Sequence, residues 1–200
     1  VMKRRAAARK AAQKRRKRNV SMKKKLLIVV DYQNDFVSGS LGCPQAVAIK
    51  DALAAKIAAY RALGEGGQVI FTMDTHDKNY LETQEGKNLP VPHCIRETEG
   101  WQIRRELDVL RKTEPVDKET FGSRKLAEKL AALNEKEEVG SITLVGLCTD
   151  ICVISNALLI KAYLPEVPIS VDAACCAGVT QERHENALKA MEMCQIKIIR

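Results

Sequence analysis

No apolar run in this chain is long enough to span a bilayer; Leu26–Val30 and Ile151–Ile154 are typical of the stretches present. Glycine supplies only 11 of 200 residues and follows no period, which excludes a collagen-like rod. The seven cysteines have no framework spacing, and an odd number argues against a secreted disulfide scaffold. Cys148 and Cys152 flank three residues and Cys175 adjoins Cys176, so neither pair has the two-residue gap of a zinc knuckle. A reducing compartment, the cytoplasm, is expected instead, with most of the cysteines acting as small buried hydrophobes. There is no internal repeat and no sign of a second domain.

What is present is the balance of a globular protein, with 46% apolar and 29% charged residues. The formal charge of +8 invites a nucleic-acid reading, but it is unevenly placed. The first 25 residues hold 13 Lys or Arg and no acid, which leaves 20 basic against 25 acidic residues, a net of −5, in the remainder. The chain is thus read as a basic N-terminal extension (1–25) and a mildly acidic domain (26–200). The extension has helix-favouring alanine, lysine and arginine but no large apolar side chains for a buried face. It suits an anionic surface, a nucleic acid, an import signal or an organellar leader; equally, it is a solvated leader preceding a start at Met22.

Within 26–200, short apolar runs alternate with helical patterns. Lys25–Asp31 reads as a strand buried on both faces, and Ala46–Leu63 as a helix with Val47, Leu53, Ile57 and Tyr60 as its stripe. Gln68–Asp74, Pro115–Lys118, Ser141–Val145, Val167–Asp172 and Gln195–Ile199 read as extended. Helices are expected around Ile103–Leu110 and over Ser123–Leu133, Asp150–Tyr163 and Gln181–Met193. The order predicts a three-layer α/β/α fold with a mostly parallel sheet of about six strands. In such sheets ligands bind beyond the carboxyl ends of the strands, where Asp31, Asp74, Lys118 and Cys152 would converge.

Gly146-Leu-Cys-Thr-Asp-Ile-Cys152 leads from a strand through a tight turn into a helix, with Thr149 or Asp150 as its cap. A thiol in the first helical turn feels the positive end of the dipole, which favours thiolate, and free N–H groups there suit an oxyanion. The alternative is a cysteine that merely packs the helix start. Lys118 can stabilise a thiolate, and Asp31 can carry its proton to a leaving amine.

Five stretches carry a resemblance: Val30-Asp-Tyr-Gln-Asn-Asp-Phe36, Phe71-Thr-Met-Asp-Thr-His76, Pro92-His-Cys-Ile-Arg-Glu-Thr-Glu-Gly100, Val116-Asp-Lys-Glu-Thr-Phe121 and Val145-Gly-Leu-Cys-Thr-Asp-Ile-Cys-Val153. Across nearly all of Leu26–Arg200 the chain resembles the isochorismatase-like cysteine hydrolases, and nicotinamidases within them. The resemblance implies a thioester mechanism: Cys152 attacks an amide, Asp31 relays the proton and later activates water, and Lys118 holds the thiolate. It also implies a cis peptide before Cys148 and an oxyanion site at the N–H groups of Cys148 and Cys152.

For the long loop after Asp74 the resemblance implies a divalent metal on Asp74, His76 and His93 that holds a pyridine nitrogen. Glu85 is the best match for a further ligand, with Glu82 the other candidate. Zinc fits two histidines and a carboxylate; iron or manganese would also bind. Phe36 matches a ring-lining position, although a core phenylalanine fits equally, and Leu89 is the large apolar residue nearest the Pro-x-His stretch. His184, on the penultimate helix, reads as a surface or capping residue.

The resemblance thus implies a metal-dependent nicotinamidase acting on a small-molecule amide, and a homo-oligomer. The runner-up is a related cysteine amidase for a carbamoyl, ureido or maleamate-type substrate without a loop metal. A different class, binding of nucleic acid or an anionic surface, would rest on residues 1–25 alone. No membrane association is expected.

Overall fold

A computed structural model describes residues 23–137 and 139–200. Most of the basic extension lies outside the described residues, but Lys24 and Lys25 already belong to the first strand. β1 (Lys24–Val30) takes the unbroken apolar run, and Leu26 to Val30 are wholly buried because helices or loops cover both faces. The chain continues through α1 (Asn34–Val37), α2 (Pro44–Ala48), α3 (Lys50–Arg61), β2 (Gly67–Asp74), α4 (Gln84–Asn88), α5 (Arg105–Asp108), β3 (Val116–Lys118), α6 (Arg124–Glu137), β4 (Val139–Leu147), α7 (Ile154–Tyr163), β5 (Ile169–Ala177), α8 (Gln181–Met193) and β6 (Lys197–Ile199).

These strands form one sheet in the order β3-β2-β1-β4-β5-β6, with every neighbouring pair parallel. The three-layer expectation therefore holds. Alternate residues of β1 enter two separate cores. Leu26, Ile28 and Val30 pack with Leu126, Leu130, Ile160, Leu188 and Met191 of α6, α7 and α8. Leu27 and Val29 pack with Phe36, Leu53 and Ile57 on the other face. After β1 the chain winds outward to β2 and β3, then returns to lay β4 on the opposite side of β1. Winding reverses there, and a crevice opens beyond the strand ends.

Several boundaries differ from the sequence reading. The helix expected over Ala46–Leu63 breaks at Ile49 into α2 and α3, which rotates its faces: Ala46 is buried while Val47 is half exposed. The helix expected around Ile103–Leu110 contracts to the single turn of α5. β5 runs on to Ala177, so Cys175 and Cys176 are strand residues, and its pairing with β4 shifts register between Leu144 and Gly146. Gly146 sits at φ +113°, and a Cβ there would lie 2.1 Å from the Val30 carbonyl oxygen, so only glycine lets β4 pass β1 this closely. All seven cysteines are free. Among the described residues no helix is long and apolar enough to cross a membrane.

Candidate active site

The sheet delivers its charged residues to one edge. Asp74 and Lys118 are the last residues of β2 and β3, Asp31 follows β1, and Cys152 lies in the turn after β4. Asp31 takes a left-handed backbone at φ +44°, an uncommon conformation for a residue with a Cβ that marks where the strand is forced to turn. Thr72, on the neighbouring strand, holds it twice: its hydroxyl donates to Asp31 Oδ1 at 2.6 Å and accepts from the Asp31 N–H at 3.3 Å.

Lys118 is the hub. Its buried Nζ lies 2.8 Å from Asp31 Oδ2, 2.8 Å from Asp74 Oδ1 and 3.4 Å from Cys152 Sγ. Burial works against the ammonium, but the carboxylates of Asp31 and Asp74 beside it outweigh this and hold Lys118 well above its usual pKa. Burial raises Asp31, with Lys118 pulling the other way. Burial also raises Asp74, yet Lys118 and His76 prevail and hold it down to about 2.

The expectation of a low-pKa thiol at Cys152 is not met. Burial pushes it well above its usual value, and Lys118 only partly offsets this. Desolvation of the anion outweighs a helix dipole here because the sulfur is enclosed and two carboxylates lie nearby. The helix start also differs. Residues Thr149–Val153 form a π-type turn, a local widening common at functional sites, with the N–H groups of Ile151 and Val153 both donating to the Cys148 carbonyl. The Leu147–Cys148 peptide is cis. Neither Thr149 nor Asp150 caps the helix: the Thr149 hydroxyl pairs with His184, and Asp150 Oδ1 accepts the Val179 N–H. His184 is accordingly a buried residue rather than the surface or capping one expected.

Facing this cluster, the long loop after β2 is ordered by short elements. His76 exchanges backbone hydrogen bonds with Cys94 and Arg96, and Asp35 Oδ2 accepts the Cys94 N–H, which brings His93 beside His76. Thr83 caps α4 by accepting the Gly86 N–H, and Tyr80 donates to the Leu89 carbonyl, so Glu85 and Leu89 turn toward the same space. Tyr80 packs against both imidazoles, with ring centroids 4.7 and 5.0 Å away.

Ligand atoms of Asp74, His76 and His93 lie within 4.8 Å of one another. The chemistry of this set fits a divalent metal. His93 Nδ1 lies 2.8 Å from the Val91 carbonyl, which can only accept, so Nδ1 carries a proton and it is Nε2 that faces the carboxylates. That Nε2 is 3.6 Å from Asp74 Oδ2 and 3.7 Å from Glu85 Oε1. The buried Nε2 of His76 makes no directed hydrogen bond, although it lies 2.9 Å from Asp74 Oδ2 and 3.6 Å from Glu85 Oε1. Two carboxylates and two imidazole Nε2 atoms thus converge on one point, a donor set that suits a divalent cation. Glu82 is exposed; Glu85 is the glutamate that faces the histidines.

Between the loop and the turn lies a cavity of about 650 Å³. Cys148, Cys152, Asp74, His76, His93 and Glu85 line its floor and one side, with Phe36, Leu41, Leu89, Phe121 and Ile151 as apolar walls. Phe36 serves both readings given to it: it is buried in a core cluster and also reaches the cavity, its ring 5.5 Å from that of His93. Cys152, Asp74, His76, His93 and Glu85 thus face one small-molecule space, with the buried Lys118 and Asp31 directly behind the sulfur and Asp74.

Sequence reasoning missed Gln33, Asp35 and Asn156 and misread His184. Gln33 clamps Asp74 through both its backbone N–H and carbonyl, and Asp35 fixes Cys94. Both lie in the same polar stretch as Asp31, which was their signal. Asn156 ties the Cys152 carbonyl to Phe121 and Ser123, and His184 binds Thr149. Each is a lone polar residue on a helix's apolar face, with no motif to announce it.

The family profile described as isochorismatase domain matches residues 25–200. An isochorismatase family protein of Bacillus subtilis strain 168, called PncA, is 30% identical over 168 residues, covering 80% of this chain and 89% of the relative. Among solved structures, the nicotinamidase PncA from Bacillus subtilis superposes with a TM-score of 0.75 at 28% identity, covering 88% of this chain and 99% of that one. A pyrazinamidase of Pyrococcus horikoshii in complex with zinc does so at 0.72 and 26%, covering 88% and 99%.

Proposed function

The chain belongs to the isochorismatase domain family, and from that premise we propose that it is an amidohydrolase that converts nicotinamide to nicotinate and ammonia through a thioester on Cys152. The observation that carries this reading is the position of Lys118 Nζ. It touches the proposed base Asp31, the proposed nucleophile Cys152 and, through Asp74, the metal-ligand set.

In the resting site the thiol is protonated and Asp31 is paired with Lys118. Attack of Sγ on the amide carbon passes the thiol proton to Asp31, whose burial makes it a stronger base than a solvated aspartate. The ammonium of Lys118 stabilises the negative charge as it forms on sulfur. The carbonyl oxygen, now an oxyanion, is received by the N–H groups of Cys148 and Cys152. Collapse expels the amine, which takes the proton from Asp31 and leaves as ammonia. Water then gives its proton to Asp31 and attacks the thioester; the sulfur leaves and is reprotonated. Asp74, His76 and His93, with Glu85 beside them, would hold a divalent ion, zinc foremost with iron or manganese as alternatives. Such an ion supplies a Lewis acid that orients the ring nitrogen. Phe36 and Leu89 would flank the ring.

Ammonia release measured over nicotinamide, pyrazinamide and maleamate tests the reading. Nicotinamide turnover that falls to background in Cys152→Ala is expected, together with near-stoichiometric metal in untagged protein and its loss in His76→Ala. Turnover of maleamate alone by metal-free protein would replace this reading with that of a metal-independent amidase.

A further inference from the structure

His184 is a buried imidazole that takes no part in the proposed chemistry, yet it reaches the turn on which that chemistry depends. It is 7% exposed, and its Nδ1 lies 2.8 Å from the hydroxyl of Thr149, which is itself wholly buried. Burial lowers the imidazole's pKa, against the nearby charges of Glu185 and Asp150 and with that of Arg200, so the ring is neutral at physiological pH. The ring's place is well fixed. Thr180 caps α8 by accepting the Arg183 N–H, and the His184 N–H donates to the Thr180 carbonyl.

The same junction between β5 and α8 grips the next residue of the turn, where Asp150 Oδ1 accepts the Val179 N–H at 3.0 Å. Gly178 makes the approach close: a Cβ on it would lie 2.9 Å from Asp150 Oδ1 and 3.0 Å from His184 Cα. Two consecutive side chains of the turn are thus held from the side away from the cavity. At its far end the turn is tied by Asn156 to the Cys152 carbonyl and by the Ile154 N–H to the Thr149 and Ile151 carbonyls, while at its near end the N–H groups of Ile151 and Val153 share the Cys148 carbonyl and the side chains of Thr149 and Asp150 are the outward anchors.

We propose that His184 is a positioning residue for the reaction: through Thr149 it sets the orientation of the turn that presents the Cys148 and Cys152 N–H groups and the Cys152 sulfur to the amide. The inference rests on the thioester reading. Oxyanion donors and a nucleophile act only at near-attack distances, and a misplacement of about 1 Å costs on the order of a hundredfold in rate.

The experiment compares His184→Ala, His184→Asn, Thr149→Val and the double variant His184→Ala/Thr149→Val. Ammonia release from nicotinamide is normalised to the folded fraction given by circular dichroism at the assay temperature. The expected kcat falls about 10- to 100-fold in His184→Ala and in Thr149→Val, with KM within about twofold. The double variant is no slower than the worse single one, because both break the same contact. His184→Asn, which keeps a polar atom near the place of Nδ1, recovers most of the rate. A kcat per folded chain equal to wild type in His184→Ala, or losses that multiply in the double variant, would overturn the proposal.

Should the wild-type protein release no ammonia from nicotinamide, the nicotinamidase reading fails by itself. The turn is then read by the rate at which iodoacetamide alkylates Cys152, followed by peptide mass mapping. His184→Ala should slow it several-fold by drawing Sγ away from Lys118, and an unchanged rate overturns the inference.

Discussion

Replacing Asn156 with alanine tests how the Cys152 turn is tied to the rest of the fold. Asn156 is fully buried on the first turn of α7. Its Nδ2 donates to the carbonyls of Cys152 at 2.8 Å and Phe121 at 3.0 Å, and its Oδ1 accepts the Ser123 N–H at 2.9 Å. Phe121 is half exposed, so water can replace its lost partner. Ser123 and Cys152 are buried, and each would be left with an unpaired backbone group. Two such groups at about 1–3 kcal/mol each give a loss of about 4 kcal/mol. For a domain of this size that lowers the melting temperature by roughly 10 °C. Asn156→Asp should fare no better at neutral pH: it keeps the acceptor for Ser123 but sets a second acceptor against two carbonyls. Thermal unfolding followed by circular dichroism, with urea titration for the free energy, reads the effect. A melting temperature within about 2 °C of wild type would show that these groups find other partners, and the reasoning would be wrong.

Lys118→Met should cost about 3–5 kcal/mol in urea unfolding, because it leaves the Asp31 and Asp74 carboxylates without their shared cation. Adding Asp31→Asn should restore part of that loss, and a double variant weaker than the single one would refute the account. His184 supplies a pH dependence. Its folded pKa lies below the ordinary value, so as pH falls the unfolded chain binds its proton first and the native state loses stability. The melting temperature of wild type relative to His184→Asn should therefore narrow between about pH 7.5 and 5.5, and a constant difference would contradict the burial argument.

Strand runs and helix periods were legible because burial on both faces of a parallel sheet leaves an unbroken apolar signature, as in Leu26–Val30. The meeting of Asp31, Asp74, Lys118 and Cys152 followed from strand ends alone, before any distance was known. What stayed hidden depends on contacts between distant segments. Val47 was misread because a break at Ile49 resets the helical face, and no proline or glycine at that point announces it. The Cys152 thiol was misread because the dipole is a local property, while desolvation depends on the finished fold. His184 pairs with Thr149, 35 residues earlier and separated from it by α7 and β5, a relation that periodicity cannot express.

The order of the chain has a consequence for its synthesis. All four charged or nucleophilic groups at the sheet edge precede residue 153, and the strands that carry them, β3-β2-β1-β4, are neighbours in the finished sheet. The two contacts that secure the turn from behind, at Val179 and His184, come only with the final segment. A nascent chain halted before Val179 therefore holds Asp31, Asp74, Lys118 and Cys152 but not the two contacts behind the turn. On the role proposed for His184, a chain ending before α8 would carry the cysteine without the contact that aims it.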